Sequence, residues 1–137
     1  MALHRSPAEH PNVDLVRRAH EAFEEGDVDT ARTLFAPDIV WTVTGTGPAS
    51  GVTRGFDGVL ANFAKIMDWT AGDYHAEPVD YLGSDDHAVA LTHLTASRPD
   101  GRTIDVDEAV IFTVRDGMLA KAQHMAYDEA AWDAFFA

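Results

Sequence analysis

Four side chains combine proton-transfer chemistry with positions that a helix or strand could aim inward: His20, Glu108, His124 and Asp128. His20 sits between Val16 and Phe23 on an apolar helical stripe. There a neutral imidazole can act as acid, base or hydrogen-bond donor, or can be a core histidine satisfied by its neighbours. His124 shares a strand face with Ala120 and Ala122, whose small side chains leave room for a ligand; the alternative is a sheet histidine held by hydrogen bonds. Asp128 follows Tyr127 where that strand ends. A carboxylate there is either a base raised by burial or the N-cap of a short C-terminal helix. Glu108 alternates with Val110 and Phe112 and is a pocket acid or an entrance residue, whereas Asp105 and Asp107 fall on the opposite, solvated face.

Around these groups the sequence offers a lining. His93 alternates with Val89 and Leu91 and is placed with the pocket. Trp41, Phe63, Trp69, Tyr74, Val110, Phe112, Met125 and Tyr127 supply apolar and aromatic surface for a substrate, or plain core. Metal binding is not expected, because no H-x-x-x-H or H-E-x-x-H spacing occurs. The glycine-rich stretch 45–58 lacks the Lys-Ser/Thr ending of a phosphate loop, so no nucleotide and no cofactor is expected.

The elements that must carry these residues follow from periodicity. Residues 1–11, with Pro7 and Pro11 and no period, read as a disordered tail. Residues 12–137 read as a single domain. Asn12 is expected to cap a helix carrying Leu15, Val16, Ala19, Ala22 and Phe23, stopped by Gly26. Asp27 caps a second helix that ends before Pro37. A strand covers Ile39 to Thr44, a loop covers 45–58, and a third helix runs from Asp57 to Thr70 with Val59, Leu60, Phe63, Ile66 and Met67 on one face. Four strands follow, at Tyr74 to Leu82, His87 to Ser97, Arg102 to Val114 and Met118 to Tyr127. Short turn clusters separate them, so they should pair sequentially and antiparallel. The stretch Asp128 to Phe136 closes the chain with the apolar plugs Trp132, Phe135 and Phe136. Helices followed by strands define an α+β fold in which a curled sheet and its helices enclose a cavity.

Composition narrows the partners. The 137 residues carry 23 Asp plus Glu against 10 Lys plus Arg, a formal charge of −13, which repels nucleic acid and anionic lipid. The acidity reads as solubility or salt adaptation rather than as an acidic functional face. There is no cysteine, which removes thiol catalysis and thiolate metal sites. With no long apolar run and no apolar core in the first ten residues, neither a membrane span nor a secretory leader is expected, and the compartment is read as cytoplasmic.

Three stretches carry a resemblance: Arg18-Ala19-His20-Glu21-Ala22-Phe23-Glu24-Glu25-Gly26-Asp27 with Phe35-Ala36-Pro37-Asp38; Trp41-Thr42-Val43-Thr44-Gly45 with Gly51 and Gly55-Phe56-Asp57-Gly58; and Val114-Arg115-Asp116-Gly117-Met118-Leu119 running into His124 and Asp128. Over about residues 12 to 133 the chain resembles SnoaL-like polyketide cyclases and ketosteroid-isomerase-like proteins of the nuclear-transport-factor-2-like (NTF2-like) superfamily. The resemblance implies a cone-shaped NTF2-like fold, with three N-terminal-half helices packed on a strongly curved, mostly antiparallel sheet. It also implies a homodimer, for which Ala109, Ile111 and Thr113 offer an uncharged outer patch. The steroid isomerases need a base Asp, a Tyr and a second Asp at positions that hold Val43, Ala19 and Val110 here, so that mechanism is not available. The cyclases place an acid/base Asp four residues after a Trp; here Asp128 matches and His124 replaces the Trp.

The function expected is acid/base catalysis on a small hydrophobic, carbonyl-bearing molecule: isomerisation, cyclisation or dehydration. His124 or Asp128 would be the base, and His20 and Glu108 the second proton or polarising group. The alternative is a non-catalytic ligand-binding or dimerisation domain of the same fold.

Overall fold

The computed structural model describes residues 9–137. The tail expected at 1–11 therefore lies outside the described residues up to position 8. Its last residue, Pro11, opens the first helix, α1 (Pro11–Glu25), where a missing N–H costs nothing. The N-cap is His10, whose Nδ1 accepts from the Asn12 N–H at 3.1 Å, and not Asn12 as the sequence suggested. Asn12 is instead buried, and its amide donates to the carbonyls of Ser84 and Asp85 at 2.7 and 3.2 Å. Those bonds pin the start of α1 to a distant hairpin turn. Gly26 ends the helix in the left-handed region, φ 68°.

Asp27 caps α2 (Val28–Leu34) through the Thr30 N–H. β1 (Phe35–Val43) begins four residues earlier than expected and contains Pro37. The proline is tolerated because the pairing of β1 with β6 (Met118–Ala126) breaks register between Phe35 and Val40. Within the stretch read as loop, Gly51–Arg54 forms β2, antiparallel to Val40–Val43. Then come α3 (Phe56–Trp69), β3 (Tyr74–Gly83), β4 (His87–Ser97), β5 (Thr103–Arg115), β6 and a short C-terminal helix, α4 (Glu129–Phe136), which follows the three helices of the N-terminal half.

The six strands form one sheet in the order β2-β1-β6-β5-β4-β3, in which only β1 and β6 run parallel. The sequential antiparallel pairing from β3 to β6 is as the turn clusters predict. Register shifts in the β1–β6, β3–β4 and β5–β6 ladders bend the sheet. Two apolar clusters fill the space between helices and sheet. One joins α1, α2 and α3 to Ile39, Ala88, Ala90, Phe112 and Ala122. The other is a plug of Trp132, Phe135 and Phe136 on Leu94, Ile104 and Ala126. No helix among the described residues is long and apolar enough to cross a membrane.

Candidate active site

Between the helices and the sheet lies a cavity of about 690 Å³. Its wall takes Val16, Ala19, His20 and Phe23 from α1, Leu60 and Phe63 from α3, Trp41 from β1, Ala90 and Thr92 from β4, Glu108, Val110 and Phe112 from β5, and His124 from β6. The exposed residues Glu24, Gly26, Val28, Met67, Gly72 and His75 form its rim. On β4 the inward face is Ala88, Ala90, Thr92 and Leu94, and the small alanines are what keep the space open.

Glu108 and His124 are the polar heart of this wall. The register sets Glu108 opposite Ala126 and His124 opposite Val110, so the two are diagonal neighbours on one sheet face. Nε2 of His124 lies 2.6 Å from Oε2 of Glu108, and only 3% and 6% of Glu108 and His124 remain exposed. The other carboxylate oxygen accepts the Thr92 hydroxyl at 2.9 Å, from the residue directly opposite Glu108 on β4. A buried carboxylate is tolerated only when it is bonded in this way. With Nε2 engaged, Nδ1 of His124 is buried and has no partner among the described residues.

Two further groups frame the pair. The Tyr74 side chain lines the cavity, and its phenol is held well above the usual tyrosine range, first by burial and then by the negative charge of Glu108. Trp132 packs its ring 4.6 Å from that of His124, and its indole N–H donates to Ser50 Oγ. A smaller cavity of about 60 Å³ adjoins the first and shares His124, Tyr74, Trp41 and Phe63 with it.

His20 occupies the other side of the cavity. Its ring meets that of Tyr81 edge-on at 6.1 Å. Its buried Nε2 lies 3.2 Å from a Glu24 carboxylate oxygen, off the line of a hydrogen bond, and has no bonded partner among the described residues. Of the expected catalytic set, His20, Glu108 and His124 thus converge on one cavity, together with Trp41, Phe63, Val110 and Phe112.

Asp128, His93, Trp69 and Tyr127 do not reach that cavity. Asp128 is exposed and accepts the Ala131 N–H at 3.0 Å, which makes it the N-cap of α4 and corrects its placement as a base. His93 lies on the outer sheet face, where Nδ1 and Nε2 each sit 2.7 Å from a carboxylate, Asp107 and Asp105 respectively. The correction follows from strand parity: Thr92, not His93, points inward. Trp69 ends α3 against Phe136 in the C-terminal plug, with ring centroids 6.0 Å apart. Tyr127 is 66% exposed, just past the end of β6. Thr92 and Glu24 are site residues that the sequence reading passed over. Among the described residues no group of three or more His, Cys, Asp or Glu could hold a metal ion.

Comparisons of sequence and structure place this fold among known relatives. The sequence matches the SnoaL-like domain over residues 16–122. The chain belongs to the SnoaL-like family. It is 34% identical to the uncharacterized protein Rv0034 of Mycobacterium tuberculosis over 127 residues, 92% of this chain and 96% of that one. The structure of Bal32a from a soil-derived mobile gene cassette superposes with a TM-score of 0.87 at 30% identity, covering 93% of this chain and 97% of that one. An NTF2-like protein of Burkholderia pseudomallei shares the fold at 20% identity, with a TM-score of 0.78 and 93% and 98% of the two chains covered. In this SnoaL-like protein, Glu108, His124 and Thr92 supply the polar groups of the deep wall.

Proposed function

We propose that this SnoaL-like protein catalyses proton transfer next to a carbonyl group in a small hydrophobic molecule, with His124 as the base. The observation that supports this reading is the Glu108–His124 pair on the cavity wall, with Nδ1 left unpartnered. Glu108 accepts a hydrogen bond from Nε2–H and so leaves the lone pair on Nδ1, and Thr92 fixes the carboxylate. The α-carbon proton passes to Nδ1. The C–H electron pair moves into the carbon–carbon bond next to the carbonyl, and the carbonyl oxygen becomes an enolate. The Tyr74 phenol, kept protonated, donates a hydrogen bond to that oxygen. Return of the proton at another carbon gives isomerisation, attack by the enolate on a second carbonyl gives cyclisation, and loss of a β-hydroxyl gives dehydration.

The test is deuterium exchange. The protein is incubated with 2-tetralone in D2O, and α-deuteration is followed by NMR. Wild type is expected to accelerate exchange, and His124→Gln and Glu108→Gln to lower the rate by about 10²-fold or more while circular dichroism shows the fold intact. Exchange that persists in folded His124→Gln removes His124 as the base. Saturable binding with no exchange in wild type favours a ligand-binding domain instead.

A further inference from the structure

The cavity has two polar ends. Along one row of the sheet, Tyr81 pairs with Ala90, Ala90 with Val110, and Val110 with His124. Three interstrand steps separate His124 from Tyr81, about 14 Å along the sheet. His20 packs edge-on against Tyr81, so its free Nε2 lies across the cavity from the Glu108–His124 pair. Between the ends the wall is aromatic: Phe63 stacks on Phe23 at 4.6 Å and meets Trp41 at 6.1 Å, and Trp41 meets Phe112 at 5.6 Å.

The far end has a definite chemistry. His20 presents a buried ring nitrogen with no bonded partner, and Glu24 presents an acceptor 3.2 Å from it. A hydroxyl satisfies both, accepting from the imidazole N–H and donating to the carboxylate. A carbonyl can use only the imidazole. A carboxylate is repelled by Glu24, by Glu108 and by the net charge of −13, and no Lys or Arg lines the cavity among the described residues to offset that repulsion.

We infer that the ligand of this cavity is an elongated, uncharged molecule that carries a carbonyl at the Glu108–His124 end, an aromatic or flat apolar middle, and a hydroxyl bound by His20 and Glu24 at the rim. The inference rests on the proposed function only in taking the Glu108–His124 end as the reacting end. His20 is thereby a substrate-binding residue that sets specificity, with no proton-transfer role of its own.

Calorimetric titration with three matched ketones tests this: chalcone, 4-hydroxychalcone and 4-carboxychalcone. In wild type the hydroxyl compound is expected to bind about tenfold tighter than chalcone, the gain of one bond to a buried partner, and the carboxylate to bind weaker than chalcone. His20→Phe should level the hydroxyl compound with chalcone while chalcone itself changes by less than about twofold. Glu24→Gln, at the exposed rim, should lessen the penalty on the carboxylate. Equal binding of all three, equal weakening of all three by His20→Phe, or no binding of any overturns the inference. Absence of deuterium exchange with this binding order intact would count against the catalytic reading alone. A flat binding order with exchange intact would count against the hydroxyl subsite alone.

Discussion

Glu108 Oε2 and His124 Nε2 meet 2.6 Å apart across the β5–β6 ladder, although neither residue is the other's direct register partner. On the other edge of β5 the residue directly opposite Glu108 is Thr92 of β4, whose hydroxyl holds the second carboxylate oxygen. Three strands therefore contribute one residue each to a hydrogen-bonded line, and its geometry is as rigid as the sheet.

On the proposed mechanism that line makes Thr92 a positioning residue. Thr92→Val keeps the shape and deletes the donor, so Glu108 loses one of its two bonds. The expected cost is about 1 kcal/mol in urea unfolding. Exchange should slow through kcat, by roughly tenfold, with KM little changed. Thr92→Ser should restore both. A variant that loses stability while keeping kcat would confine Thr92 to a structural role.

Asp128 separates capping from catalysis. Asp128→Ala removes the side chain that accepts the Ala131 N–H and should cost about 1 kcal/mol. Asp128→Ser, an equally good cap, should recover that stability. Both variants should exchange protons at the wild-type rate. Loss of exchange in a stable Asp128→Ser protein would return Asp128 to the reaction.

Much of this arrangement was legible in the sequence. The α+β order and the four sequential strands follow from turn chemistry and alternation, alternation sets Glu108, Val110 and Phe112 on one face of β5 that the family resemblance turns inward, and Ala120 and Ala122 mark His124 as facing open space. β4 was harder to read. His-Ala-Val-Ala-Leu-Thr-His-Leu is apolar at both parities, and the larger Val89 and Leu91 look like the core side. A cavity wall needs the smaller residues, so Ala88, Ala90 and Thr92 face inward and His93 does not. β2 was hidden for a different reason. Gly51 and Gly55 bracket a four-residue edge strand too short to show a period. The burial of Asn12 was invisible because its partners, the carbonyls of Ser84 and Asp85, are more than seventy residues away.

His93 gives a pH dependence that is independent of the cavity. Hydrogen bonding to Asp107, aided by the charges of Asp105 and Asp107, raises its pKa above the ordinary 6.5. The folded state therefore binds the proton more tightly than the unfolded chain. The resulting stabilisation is fully present below pH 6.5 and is lost as pH rises through the raised value. An NMR titration of the His93 ring should show a midpoint above 6.5, and Asp107→Asn should move it down. His93→Ala should leave deuterium exchange unchanged, since the ring is on the outer face. A slowed reaction would place His93 in the site after all.

Tyr74 links the cavity to alkaline stability. Burial and the Glu108 charge hold its phenol well above the ordinary value of 10, so above pH 10 the unfolded chain releases a proton that the folded protein keeps. The unfolded state then binds fewer protons, and stability must fall as pH rises. Tyr74→Phe removes that contribution, so its stability should decline less steeply above pH 10 in urea titrations. On the proposed mechanism the same substitution deletes the donor to the developing enolate oxygen and should slow exchange by about 10²-fold at neutral pH. The two readouts are separable. A shallower alkaline slope with unchanged exchange would show a buried phenol that takes no part in the reaction. Both changes together would place its hydroxyl beside the reacting carbonyl, on the same wall as Glu108.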